Sequence, residues 1–255
     1  MKKSKKIIII NIICIILTGV LIYSGIKIYN WYKENENSKK VAKQISETVT
    51  IQQNENEEES GEQKQYIIDF NSLKEQNDQT VAWIKVNNTS IEYPIVKTSN
   101  NSYYLTHSFD KSYNSAGWPF ADYKNKFDGT DKNIVLYGHN RKDGSMFATL
   151  KSILSPEWYN NEENRNIIFN TENENSIYEV FSVYQIKNEE YYIQTEFKNE
   201  SKFAKFLENI KKRSVKDFEV GVTSEDSILT LSTCANNNKY RVVLHAKKVL
   251  NNEQE

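Results

Sequence analysis

Seven times between Val81 and Val249 the chain returns to a short run of β-branched and aromatic residues, and no regular helices separate them. The runs fall at residues 81–86, 90–96, 133–137, 165–169, 176–185, 227–233 and 240–249, broken by turns rich in Asn, Asp and Gly. Strands in this arrangement, without alternating helices, predict a mostly antiparallel barrel or sandwich. Pro94 lies inside the second run and marks an edge or a bulge there, because proline cannot donate to a ladder. A single clear helix interrupts the pattern. In residues 201–213, Phe203, Phe206, Leu207 and Ile210 recur at i, i+3, i+4 and i+7, one apolar stripe suited to packing on the sheet. A shorter helix is predicted at residues 69–73, capped by Asp69 or Asn71.

The front of the chain obeys different rules. Residues 7–26 carry no charge. Twenty helical residues at 1.5 Å each span about 30 Å, the thickness of a bilayer's hydrocarbon core. Lys2, Lys3, Lys5 and Lys6 precede the run, which places the N-terminus inside the cell and the remainder outside. The run is long for a cleaved signal peptide and no A-x-A-like site follows it. The expected organisation is a basic cytoplasmic tail at 1–6, a single-pass signal anchor at 7–28, a polar linker or loosely helical stalk at 29–65, and an extracellular domain at 66–255.

Charge excludes one class of partner. Lys and Arg number 33 and Asp and Glu 34, so the chain lacks the basic footprint of a nucleic-acid binder. Glycine-rich phosphate loops and Cys/His zinc spacings are absent. Asp128-Gly129-Thr130-Asp131 lacks the ligand alternation of a calcium loop and reads as a turn. Of two cysteines, Cys14 lies in the apolar run, so Cys234 stands alone in the folded part. A lone cysteine is more often a small buried hydrophobe than a reactive group, so its neighbours must decide.

Those neighbours are suggestive. Ile228-Leu229-Thr230-Leu231-Ser232-Thr233-Cys234 and Tyr240-Arg241-Val242-Val243-Leu244-His245 read as two strands joined by a polar loop. With a period of two, Thr230, Ser232 and Cys234 share one face, and Arg241, Val243 and His245 share another. If the strands pair directly across the loop, Cys234 and Arg241 are neighbours. A guanidinium beside a thiol favours the thiolate and supplies donors to a developing oxyanion. A free thiol, with a pKa of about 8.5, also needs a base or an imidazolium nearby. Of His107, His139 and His245, the middle one closes a buried strand as Tyr137-Gly138-His139-Asn140, where a loop can present the ring to a cleft. Plain structural roles are expected for the other two.

Leu231-Ser232-Thr233-Cys234, followed seven residues later by Arg241, resembles the T-L-x-T-C…R signature of sortases. Tyr137-Gly138-His139-Asn140 with Asp143-Gly144-Ser145-Met146-Phe147 resembles the histidine motif of class B sortases. Ala82-Trp83-Ile84, Ile91-Glu92-Tyr93-Pro94-Ile95-Val96, Tyr103-Tyr104-Leu105 and Phe120-Ala121-Asp122-Tyr123 follow in that class's order, and the helix before the cysteine strand is similar to its insertion. The resemblance covers roughly residues 70–249. Gly117-Trp118-Pro119-Phe120 departs from it, since a smaller, more aliphatic stretch is usual there.

The resemblance implies an eight-stranded β-barrel with short helices, held outside the Gram-positive cytoplasmic membrane. It implies a cysteine transpeptidase that cleaves a C-terminal sorting motif of secreted proteins after Thr and passes the acyl group to an amine of peptidoglycan or its lipid-linked precursor. Cys234 would be the nucleophile, His139 the acid and base, and Arg241 the clamp on oxyanion or substrate. Ser232, Thr233 and Asn140 are weaker substrate-binding candidates. No metal or organic cofactor is implied. Three alternatives remain: a pilus-polymerising sortase, a thiol hydrolase with no dedicated amine acceptor, and a non-catalytic binding module that reuses the barrel.

Overall fold

The computed structural model describes residues 2–46, 49–52, 65–235 and 239–249. Eight strands close into a barrel: β3 (Thr80–Val86), β4 (Glu92–Val96), β5 (Phe120–Ala121), β6 (Asn133–Gly138), β7 (Asn166–Thr171), β8 (Glu174–Lys187), β9 (Ile228–Ala235) and β10 (Tyr240–Val249). Around the barrel they run in the order β10-β8-β7-β3-β4-β5-β6-β9. The neighbours are antiparallel except for β4–β5 and β6–β9, which are parallel. A separate antiparallel ribbon joins β1 (Val49–Gln52) to β2 (Gln65–Ile68). The barrel is filled by side chains from alternate strand positions, among them Ile84, Ile95, Phe169, Leu231 and Leu244, while Trp83 points the other way and stacks on Tyr66 of β2.

The seven runs read from sequence all become barrel strands, shifted by no more than two residues at most ends. The eighth strand, β5, is only two residues long and is held by one pair with β4, Phe120 with Val96, and two with β6, Phe120 with Tyr137 and Ala121 with Leu136. Pro94 pairs with Trp83 on β3, and β5 does not reach it on its other side. Its carbonyl instead accepts the Trp118 indole N–H at 2.9 Å, so proline costs the ladder nothing here.

Helix α2 (Phe70–Gln76) starts at Asp69, whose carboxylate accepts the Ser72 amide at 3.1 Å. A single turn, α3 (Pro156–Tyr159), precedes β7. Helix α4 (Glu200–Lys212) is capped by Asn199 and buries Phe203, Phe206, Leu207 and Ile210, the stripe read from the sequence. Each such side chain contributes about 1.5–3 kcal/mol on burial. The helix and the chain before it cover the outer face of β9 and β10, so Thr230, Ser232 and His245 are buried rather than solvated.

Helix α1 runs without a break over Lys2–Ser46, 45 residues. Its apolar part is long and uncharged enough to cross a membrane. The segment from 29, read from sequence as a polar linker or loosely helical stalk, continues this helix to Ser46, and its last turns lie on the barrel. Asn35, Ser38 and Ile45 are buried, and Val41 and Ala42 pack against the core. Positions 38, 41, 42 and 45 form a stripe at helical spacing, too short and too small in side-chain volume to stand out among the surrounding charges. Residues 47–48 and 53–64 of the expected linker lie outside the described residues.

Candidate active site

Three strands place the three principal site residues. In the β9–β10 hairpin, Cys234 and Arg241 are directly paired. The parallel pair β6–β9 aligns Tyr137 with Ser232 and Gly138 with Thr233. The next residues along the two strands are His139 and Cys234. Adjacent strands lie about 4.8 Å apart, so the backbone positions of His139, Cys234 and Arg241 sit side by side at one end of the barrel.

The His139 ring is held on two sides. Its Nε2 lies 2.8 Å from the Leu105 carbonyl oxygen. A carbonyl only accepts, so Nε2 carries the proton in that bond and Nδ1 is the nitrogen left to exchange one. The ring edge rests against Gly117, whose φ of +63° belongs to the left-handed region. A Cβ there would stand 2.9 Å from His139 Cδ2 and 2.4 Å from the Tyr104 carbonyl oxygen. Only glycine fits both the backbone conformation and the close approach. The departure noted at 117–120 thus bears on the site.

The loop after His139 is also braced. The Phe147 amide donates to the His139 carbonyl at 3.0 Å, and Asn140 bridges Met146. The Phe147 ring occupies the space a Cβ on Gly138 would need. Met146 takes a φ of +57° and its amide donates to the Tyr93 hydroxyl at 3.0 Å. Within the loop, burial pushes the Asp143 carboxyl upward, but hydrogen bonds from Ser145 and the Arg141 charge outweigh it and hold the group below its ordinary value.

The weaker candidates are each engaged with neighbours. Thr233 Oγ1 donates to the Gly138 carbonyl at 2.7 Å, tying β9 to β6 beside the site. Ser232 Oγ lies 2.9 Å from the Tyr192 hydroxyl. Asn140 joins the backbone bridge already described. Next to Ser232, the Tyr137 hydroxyl donates to Asp122 Oδ2 at 2.8 Å. Burial, and after it the Asp122 carboxylate, push this phenol far above its usual range, so it stays neutral.

His107 and His245 take structural roles. His107 stacks on Tyr103 at 4.0 Å and its Nδ1 is 2.8 Å from the Tyr103 carbonyl. His245 is fully buried between Tyr184 and Thr230. Asp128 and Asp131 accept hydrogen bonds from their own loop's backbone, as a turn requires. Leu105, Gly117 and Tyr192 were not legible as site residues. The departure of 117–120 from a smaller, more aliphatic stretch marked that loop's shape but assigned Gly117 no part in the site.

A model of the sortase domain matches residues 84–249, which contain all three strands and all three residues. The chain belongs to the sortase family. Among curated relatives, a sortase B of Listeria monocytogenes is 34% identical over 241 residues, covering 92% of this chain and 94% of the relative. A sortase B of Staphylococcus aureus is 31% identical, covering 88% and 89%. A solved structure from Bacillus anthracis, described as similar to sortase B, superposes with a TM-score of 0.71 at 35% identity, covering 86% of this chain and 97% of that one. Within the sortase family, the chain is thus most like class B.

Proposed function

We propose that the chain is a membrane-anchored transpeptidase that joins secreted proteins to the cell wall. The observation that carries this reading is the register of β6, β9 and β10, which pairs Cys234 with Arg241 and Gly138 with Thr233, so that His139 follows β6 beside Cys234. The Cys234 thiolate attacks the carbonyl carbon of the motif's Thr. The resulting oxyanion is held by the Arg241 guanidinium, a fixed cation that needs no proton transfer to do so. Collapse breaks the peptide bond, His139 Nδ1–H protonates the departing amine, and a thioester remains on Cys234. An amine of peptidoglycan or its lipid-linked precursor then loses a proton to His139 and displaces the thiolate, forming a new amide. Net, one amide is exchanged for another and no cofactor is consumed.

Related structures fit this chemistry. One solved sortase B is a substrate complex from Staphylococcus aureus and another is complexed with triglycine, an amine-bearing peptide. The uncharged run of α1 would hold the catalytic domain on the outer face of the membrane, with residues 1–6 inside. Domain limits of 7–28 for the anchor and 66–255 for the catalytic unit belong to this reading, with the last turns of α1 docked upon it.

The test incubates the full chain in detergent with peptides bearing Thr-Gly or Thr-Asn junctions, with and without an oligoglycine or diaminopimelate-type amine, and follows products by mass spectrometry. Cleavage after Thr, an acyl-enzyme mass lost in Cys234→Ala, and an amine-dependent adduct are expected. His139→Ala and Arg241→Ala should each lower turnover at least about a hundredfold. Free acid without any adduct would instead make the protein a hydrolase. No acyl-enzyme on any peptide, with Cys234→Ala matching wild type, would sink the catalytic reading.

A further inference from the structure

Both supports of the His139 ring lead to the same short stretch of α1, just beyond its apolar span. The first support is the 105–117 loop, which supplies the Leu105 carbonyl and Gly117. Its joint is Asn114, 1% exposed, whose backbone carbonyl accepts the Gly117 amide at 2.9 Å and whose Oδ1 accepts the Ala116 amide at 2.9 Å. The same side chain's Nδ2 donates into α1, to the Glu34 carbonyl at 3.1 Å and to Ser38 Oγ at 2.9 Å. The Ser115 hydroxyl and amide donate to the Glu34 carboxylate beside it. The second support is the 139–147 loop. Its Arg141 donates from Nη2 to Asn35 Oδ1 on α1, and Arg141 is itself oriented by Asp143, 3.6 Å away. Asn35 and Ser38 are 5% and 3% exposed, so these bonds form out of water, where an unmade partner is costly.

We propose that residues 34–38 of α1 are positioning residues for His139. The docked helix fixes the two loops between which the ring is set, so membrane anchor and acid–base group form one mechanical unit. The inference rests on the transpeptidase reading, because it assigns a task to His139. Polar contacts suit this role better than apolar ones. Each needs a specific distance and direction, so a displaced helix turns the ring rather than merely loosening its packing.

The test uses the full chain in lipid nanodiscs and the best-cleaved peptide of the panel described above. Asn35→Leu combined with Ser38→Ala removes the links to Arg141 and to the Ser38 hydroxyl, one for each loop, without touching the barrel, and leaves those made by Glu34. Asn35→Asp keeps an acceptor for Arg141. His139→Ala runs alongside. The double variant should lower kcat about tenfold with KM changed less than about twofold, and should displace the limb of the pH–kcat profile that His139→Ala abolishes. Asn35→Asp should restore at least half of the lost kcat. Thermal unfolding reports the folded fraction, to which kcat is normalised. Normalised kcat and pH profile equal to wild type in the double variant would overturn the inference while leaving the transpeptidase intact. Undiminished turnover in His139→Ala would instead overturn the reading beneath it.

Discussion

His245 shows what a residue's neighbours do to its chemistry. Its Nδ1 lies 2.8 Å from Thr230 Oγ1, which in turn donates to Asn133, and its Nε2 lies 2.9 Å from the Tyr184 hydroxyl. With Thr230 donating onward, Nδ1 carries the proton and Nε2 accepts from Tyr184. Neutral imidazole thus has every bond satisfied, and imidazolium would have one donor too many. Burial pushes the group down to about 3 from its ordinary 6.5. Below pH 6.5 the unfolded chain binds a proton that the folded one refuses. The stability from keeping this ring neutral is therefore complete above about pH 6.5 and is lost as pH falls toward 3, at about 1.4 kcal/mol per pH unit. Urea unfolding at pH 7.5, 5.5 and 4.5 should show this slope in wild type and a shallower one, by about one proton, in His245→Gln. Equal slopes would mean that the acid sensitivity arises elsewhere. The sequence placed His245 on the face of Arg241 but could not show that α4 covers that face, because coverage depends on a helix whose direction over the barrel no local pattern encodes.

Among elements, strands and helices differ in how well the sequence announced them. Antiparallel neighbours joined by a turn, such as β9 and β10, could be aligned by counting back from the loop, and Cys234 falls opposite Arg241 as that count requires. The contact of β6 with β9 had no such guide. Parallel strands share no turn, and Gly138 and Thr233 are 95 residues apart, so His139 could be joined to Cys234 only through a family resemblance. β5 escaped notice because two residues show no period. α4 was plain from its stripe, and its energetics follow. Phe203 is 1% exposed, with ring centroids 4.5 Å from Phe197 and 6.2 Å from Phe206. Phe203→Ala should cost about 3–5 kcal/mol in denaturant unfolding at pH 7.5. A loss under about 1 kcal/mol would show that the helix is not integral to the barrel's stability.

At the scale of the whole molecule, the barrel is closed unevenly. β8, β9 and β10 are paired along most of their lengths, whereas β4 meets β5 at a single pair, Val96 with Phe120, with a backbone contact of 3.4 Å from Val96 to Pro119. Opening there breaks fewer bonds than opening anywhere else around the ring. Amide exchange followed by mass spectrometry should find peptides spanning 94–97 and 118–121 exchanging well before those spanning 242–246. Uniform exchange would mean that the barrel opens only as a whole. The β9–β10 hairpin that carries Cys234 and Arg241 lies on the well-paired side, whereas β6, which leads to His139, is one strand from the seam.

The parallel alignment of β6 with β9 also has a consequence for how the protein can be divided. Residues 213–217, between α4 and β9, are exposed or half-buried. A cut there leaves His139 on one fragment and both Cys234 and Arg241 on the other. Neither piece holds all three candidate residues, and neither can close the barrel, since the first lacks β9 and β10, which bridge β6 to β8 among the described residues. The pieces would have to zip together along two edges, β6 with β9 and β8 with β10, which suits the chain to fragment complementation.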